Sequence, residues 1–154
     1  MLDLDRLSPE ELTLVCRETG EECGSRFTQI AEASDPTDHA LKILLERIAS
    51  DTRLQARSIA GTTRPSDPPC RLTSEGVRRI VRSAVSFLSR SFGEGKLPRD
   101  IALYYAESLA DELSRFYRML EARAGETRVR AVCRRLSECE QKKRQFLREV
   151  VLGS

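Results

Sequence analysis

Taken at helical spacing, the apolar positions of the chain fall into five stretches separated by short breaks. The first opens on Ser8-Pro9-Glu10-Glu11, where serine caps, proline suits the first helical position and the acids favour the positive helix end. Its apolar series begins Leu12, Val15, Cys16 and resumes at Phe27 and Ile30, which predicts a helix to about Ala33. Asp35-Pro36 breaks the chain and restarts it. A second helix then carries Leu41, Leu44, Leu45, Ile48 and Ile59 on one side and ends at Gly61. So short a connection makes these two helices antiparallel neighbours. Residues 62–73, with Pro65, Pro68 and Pro69, form the clearest loop. A third amphipathic stretch is predicted from about Ser74 to Phe92, with Val77, Ile80, Val81, Ala84, Val85 and Leu88 on its apolar side. Arg78, Arg79, Arg82 and Arg90 make most of its basic side. After the break at 93–98, a fourth helix is predicted from about Pro98 to Ala124, stopped by Gly125, and a fifth from about Glu126 to Val151. The expected architecture is one all-α domain over 1–154. It comprises a hairpin at about 8–61, a crossover loop and helix at about 62–97, and a hairpin at about 98–151, an antiparallel four-helix bundle with an additional crossover helix.

Composition agrees with that picture. The 154 residues hold 32% charged and 5% aromatic side chains with no Trp, and a chain of this length buries roughly 68–70% of its unfolded surface. No apolar run approaches the ~20 residues of a membrane span, and no charged-then-apolar leader opens the sequence, so the expectation is a cytoplasmic protein without a membrane. The five cysteines (Cys16, Cys23, Cys70, Cys133, Cys139) include no C-x-x-C pair, which argues against a zinc ribbon or disulfide framework and for buried free thiols. The net charge of +2 conceals opposed halves: residues 1–61 hold twelve acids and seven bases, residues 62–154 twelve acids and nineteen bases. Such halves suit helix pairs that attract each other, or a self-associating surface.

Each long helix has a polar interruption near its midpoint. The first passes through Thr19, Glu22 and Cys23; the second through Thr52 and Gln55. In the fourth, Glu112 lies on the face of Leu109 and Phe116. In the fifth, the apolar line Leu136, Cys139, Phe146, Leu147 is interrupted by Glu140 and Lys143. Mid-helix polar groups on four antiparallel helices predict one core polar layer, with Thr52, Gln55, Glu112, Glu140 and Lys143 as its members. An unpaired charge there is costly, so each must find a partner.

Di-metal carboxylate bundles place a Glu on each of two helices and a Glu-x-x-His on each of the other two. The stretches "ADELSRFYRMLEARA" and "VCRRLSECEQKKRQFL" resemble the second half of a rubrerythrin-like protein of the ferritin-like superfamily. "GEECGSRFTQIAEAS" and "LLERIASDTRLQARSI" resemble its first half more faintly, and Ser25-Arg26-Phe27 echoes Ser114-Arg115-Phe116. The resemblance implies a ferritin-like bundle and, where the ligands are kept, a di-iron oxidoreductase. Here the first Glu-x-x-His falls on Thr52-Arg53-Leu54-Gln55 and the second on Glu140-Gln141-Lys142-Lys143; the single-Glu positions fall on Gly20 and Ala110, with Glu22 and Glu112 two residues away. An ammonium in the layer repels a metal and competes for its carboxylates, so Lys143 is expected to replace the metal as the cation bridging acids such as Glu140 and Glu112. The alternative is a remnant site using Glu22, Glu112 and Glu140 to hold iron or manganese, in an oxidoreductase or iron-binding protein with unorthodox ligands.

The remaining candidates are weaker. His39, the sole histidine, stands at the start of the second helix and is expected at the surface. The bases of the fifth helix are spread around it and accompany no DNA-binding motif, so nucleic acid is not expected as a partner; Arg134-Glu138 and Arg144-Arg148 suit a solvated face. With one His and no Gly-rich phosphate loop, no catalytic residues are assigned. The third helix is expected either to cap the bundle or to form a homodimer interface. The combined expectation is a non-catalytic, rubrerythrin-related bundle without a cofactor that acts through binding or self-association.

Overall fold

The structure is a computed structural model, and it describes residues 8–60, 73–85, 92, 97–125 and 127–153. The described residues form five helices: α1 (Pro9–Ala33), α2 (His39–Ala60), α3 (Ser74–Ala84), α4 (Arg99–Arg123) and α5 (Thr127–Gly153). None of them is long and apolar enough to cross a membrane. Gly61, the loop with Cys70, Leu88, Arg90 and most of the 93–98 break lie outside the described residues, as does the side chain of Ile59.

Local chemistry sets the helix ends. Ser8 caps α1 reciprocally: its hydroxyl accepts from the Glu11 N–H at 3.1 Å, while its own N–H donates to the Glu11 carboxylate at 3.0 Å. At the other end Ser34 turns extended, and Asp35 accepts from both the N–H and the hydroxyl of Thr37. Asp38 then accepts from the Leu41 N–H at 3.1 Å and opens α2. Its carboxylate also receives Arg99 at 2.8 Å, and Leu97 N–H donates to Ala33 at 2.6 Å; together they tie the α1–α2 connection to the start of α4. The Arg99 guanidinium holds the Asp38 carboxyl below its ordinary pKa.

α1 packs along α2 and α4 along α5, and α3 lies against α1. One continuous core joins them, with Val15, Phe27, Leu45, Leu109, Leu113, Leu120 and Leu147 fully buried. α1 and α2 approach closely at two glycines one turn apart. A Cβ on Gly20 would collide with the Cβ of Ala56, and one on Gly24 would meet the Arg53 side chain at 2.6 Å and the Ala49 carbonyl at 3.1 Å. Glycine costs a helix about 1 kcal/mol relative to alanine, and here the missing side chain lets two backbones close on each other. α4 and α5 are joined by a reciprocal hydroxyl contact: Ser114 and Ser137 lie 3.0 Å apart and each donates to the other's carbonyl at 3.2 Å.

The third helix is shorter than its periodicity suggests. It ends at Ala84, where Val85 turns extended with its N–H still bonded to Val81. Its buried stripe is Val77, Val81 and Val85; Ile80 is half-buried and Ala84 exposed, so the apolar side is narrower than expected. On the α5 surface Arg134, Glu138 and Arg148 are exposed, as expected of a solvated face; Arg134 also pairs with Glu121 at 2.7 Å and Arg144 with Asp111 at 3.5 Å, both across to α4. His39 is exposed, and Cys16, Cys23 and Cys133 are buried free thiols, with Cys139 half-buried.

The Gly20 contact sets a prediction. Gly20→Ala should destabilise the protein by about 1–2 kcal/mol, overpacking outweighing the gain in helix propensity. Adding Ala56→Gly should recover part of that loss, as measured by urea denaturation.

Candidate functional site: the core polar layer

Lys143 projects from α5 toward α2 with its side chain 12% exposed, and its ammonium makes three hydrogen bonds. Nζ lies 2.7 Å from Glu140 Oε1, 2.9 Å from Thr52 Oγ1 and 2.8 Å from Gln55 Oε1. Three protons thus meet three acceptors, the saturation a nearly buried ammonium needs. Thr52 is fixed by donating its own proton to the Ile48 carbonyl at 2.8 Å, which leaves its lone pairs for Lys143. The i, i+3 spacing of Glu140 and Lys143 stacks them on one face of α5, and the length of the lysine carries the charge across the α2–α5 seam.

Glu140 is the more deeply buried partner, 1% exposed. Burial raises its carboxyl pKa, and the attraction and hydrogen bond of Lys143 pull the other way. Its second oxygen, Oε2, is buried without a hydrogen-bond partner. The same charge reaches Cys23 and Tyr117, both fully buried: desolvation pushes the Cys23 thiol and the Tyr117 hydroxyl well up, and Glu140 adds to each. Both are therefore neutral at physiological pH.

The structure brings together Thr52, Gln55, Glu140 and Lys143. Glu112 is not one of the groups to which Lys143 donates; it is half-buried on α4, and its charge is felt at Cys23. The bridge between two carboxylates is thus corrected to a bridge from one carboxylate to a hydroxyl and an amide, because three acceptors exhaust the ammonium. Glu22 turns away from the layer toward α3, where it meets Arg82 at 3.2 Å and Arg78 at 3.7 Å. A second acid of α1, Glu18, is 5% exposed and accepts from Arg78 at 3.1 Å. The sequence signal for that pairing is the match between Glu18 and Glu22, one turn apart on α1, and Arg78 and Arg82, one turn apart on α3. Beside Glu140, Gln141 donates to the Ser114 hydroxyl at 2.9 Å and extends the polar layer to the α4–α5 seam.

As a metal centre the donor set fits poorly. Glu140 Oε1 is taken by the Lys143 ammonium, whose other two protons go to the Thr52 hydroxyl and the Gln55 amide oxygen, and Glu22 is held by arginines. Among the described residues no three His, Cys, Asp or Glu side chains are grouped to hold a metal ion. The two single-Glu positions implied by the resemblance are closed by packing: Gly20 backs onto Ala56, and Ala110 is fully buried. No protein-family model, curated protein or solved structure matches the chain.

Two outcomes follow for stability. Lys143→Met leaves Glu140 buried without its cation and should cost about 3–5 kcal/mol at neutral pH. The loss should shrink as pH falls and Glu140 takes up a proton, and Glu140→Gln in the same chain should recover most of it, both read by urea denaturation. For the wild type, the folded state holds the Glu140 proton more tightly than the unfolded chain does. The Glu140 contribution to stability is therefore present below the ordinary carboxylate pKa of about 4.3 and is lost as pH rises through the raised folded value. Glu140→Gln should remove that part of the pH dependence, measured as the stability difference between the two proteins from pH 4 upward.

Proposed function

We propose that the chain is a non-catalytic, rubrerythrin-related member of the ferritin-like four-helix bundles, with α3 as its crossover helix. In this reading it acts through binding or self-association, as a homodimer. The observation that carries the reading is the place of the Lys143 ammonium. It occupies the position of the imidazole in the second Glu-x-x-His and takes the Glu140 oxygen at 2.7 Å that a metal would use. A cation there repels a second cation and competes for the same carboxylate. Thr52 and Gln55, at the ends of the first Glu-x-x-His, serve as its remaining acceptors.

The rival, an oxidoreductase or iron-binding protein with unorthodox ligands, draws on one observation: Glu140 Oε2 is buried and has no hydrogen-bond partner. It has to displace Lys143 from its three acceptors to assemble a ligand set. Protein produced with iron or manganese in the medium is expected to carry neither metal stoichiometrically by elemental analysis. One bound metal per chain overturns the non-catalytic reading in favour of the rival. Light scattering of the full chain is expected to give twice the monomer mass.

A further inference from the structure

Beside the polar layer, the seam between α2 and α5 opens into a groove of about 270 Å³. Its apolar wall is made of Leu54, Val132, Leu136 and Cys139. Leu54 is 56% exposed. Among the described residues the polar groups lining the groove are Gln55, Ser58 and Arg135, and none is a carboxylate. Gln55 spends its carbonyl oxygen on Lys143 at 2.8 Å, which leaves its amide N–H groups as available donors. Neither the Gln55 amide nitrogen, the Ser58 hydroxyl nor the Arg135 guanidinium is engaged by another described residue. Arg135 differs in this from Arg134 and Arg144 on the same helix, which are neutralised by acids of α4.

An apolar trough with converging donors and one unneutralised guanidinium is complementary to an anion with a hydrocarbon body. We propose that the α2–α5 groove is a binding site for a small apolar monocarboxylate. The hydrocarbon lies along Leu54, Val132 and Leu136, and the carboxylate is received by Arg135 and the Gln55 amide. The volume, below the ~300–1,000 Å³ of drug-sized pockets, limits the ligand to a short acyl chain or a single ring. Lys143 supports the site from behind by fixing the Gln55 amide with its oxygen inward. The site goes beyond the reading of the core as metal-free and rests on it at one point, the Gln55 amide that Lys143 holds.

Octanoate is the probe, octanol its uncharged control, and the full chain the protein. Octanoate is expected to slow alkylation of Cys139 by iodoacetamide, followed by peptide mass mapping, and octanol at the same concentration is not. Arg135→Gln, a surface substitution that keeps the helix, is expected to weaken octanoate about tenfold, the worth of one charge-assisted contact. Gln55→Leu should weaken it as well, and circular dichroism separates that effect from unfolding. The proposal is overturned by unchanged Cys139 alkylation in octanoate, by equal protection from octanol, or by full octanoate affinity in Arg135→Gln. Protection of Cys139 that grows with protein concentration and needs no octanoate assigns the groove to a second copy of the chain and overturns it too. Elemental analysis for metal is a separate measurement, so failure here leaves the metal question where that measurement puts it.

Discussion

A carboxylate removed from water must find its counter-charge inside the protein, and Glu140 finds it on its own helix, one turn away. The pair with Lys143 is local in sequence, yet its satisfaction is not. The ammonium keeps two protons that only α2 can accept, through Thr52 and Gln55. α5 therefore sits on α2 at one height: a shift of one turn along the seam, about 5.4 Å, strands both the lysine and the glutamate. Replacing such a pair with well-packed apolar residues often leaves stability unchanged or improved, so its contribution here is to register more than to stability.

The other seams use different devices for the same purpose. Between α1 and α2, Gly20 and Gly24 remove the side chains that would hold the helices apart. Between α1 and α3, Glu18 and Glu22 interleave with Arg78 and Arg82, and a stripe of three valines packs beneath them. Between α4 and α5, two serines exchange hydrogen bonds with each other's backbones. The buried apolar side chains fit many arrangements. The small and polar residues are the ones that fit few.

Much of the helix layout is legible in the chain itself. The Ser8 cap with Glu11, the Asp35-Pro36 break and Gly125 after α4 are short-range signals, each satisfied within three or four residues. The polar interruptions at Thr52, Gln55, Glu140 and Lys143 are visible because they violate the apolar period. The direction in which an interrupting residue points is less visible. Glu22 and Glu112 occupy similar positions in their helices, but Glu22 is drawn toward the arginines of α3 and Glu112 lies apart from Lys143. A rotation of about 100° per residue separates a core group from a flanking one, and helical periodicity does not fix that angle to better than a residue. Glu18 escapes notice for the same reason: its partner Arg78 is sixty residues away.

The sequence by itself determined the five helices of the described residues, the approximate ends of four of them, and the presence of charge at the middle of the apolar faces, because all three depend on capping and periodicity within a few turns. The tertiary structure decided which charges meet. It gave Lys143 one carboxylate and two neutral acceptors, committed Glu22 to α3, and left the α2–α5 seam open where Arg135 meets no acid among the described residues. Those outcomes depend on distances between helices, which arise from side-chain volume and backbone approach summed over the whole core.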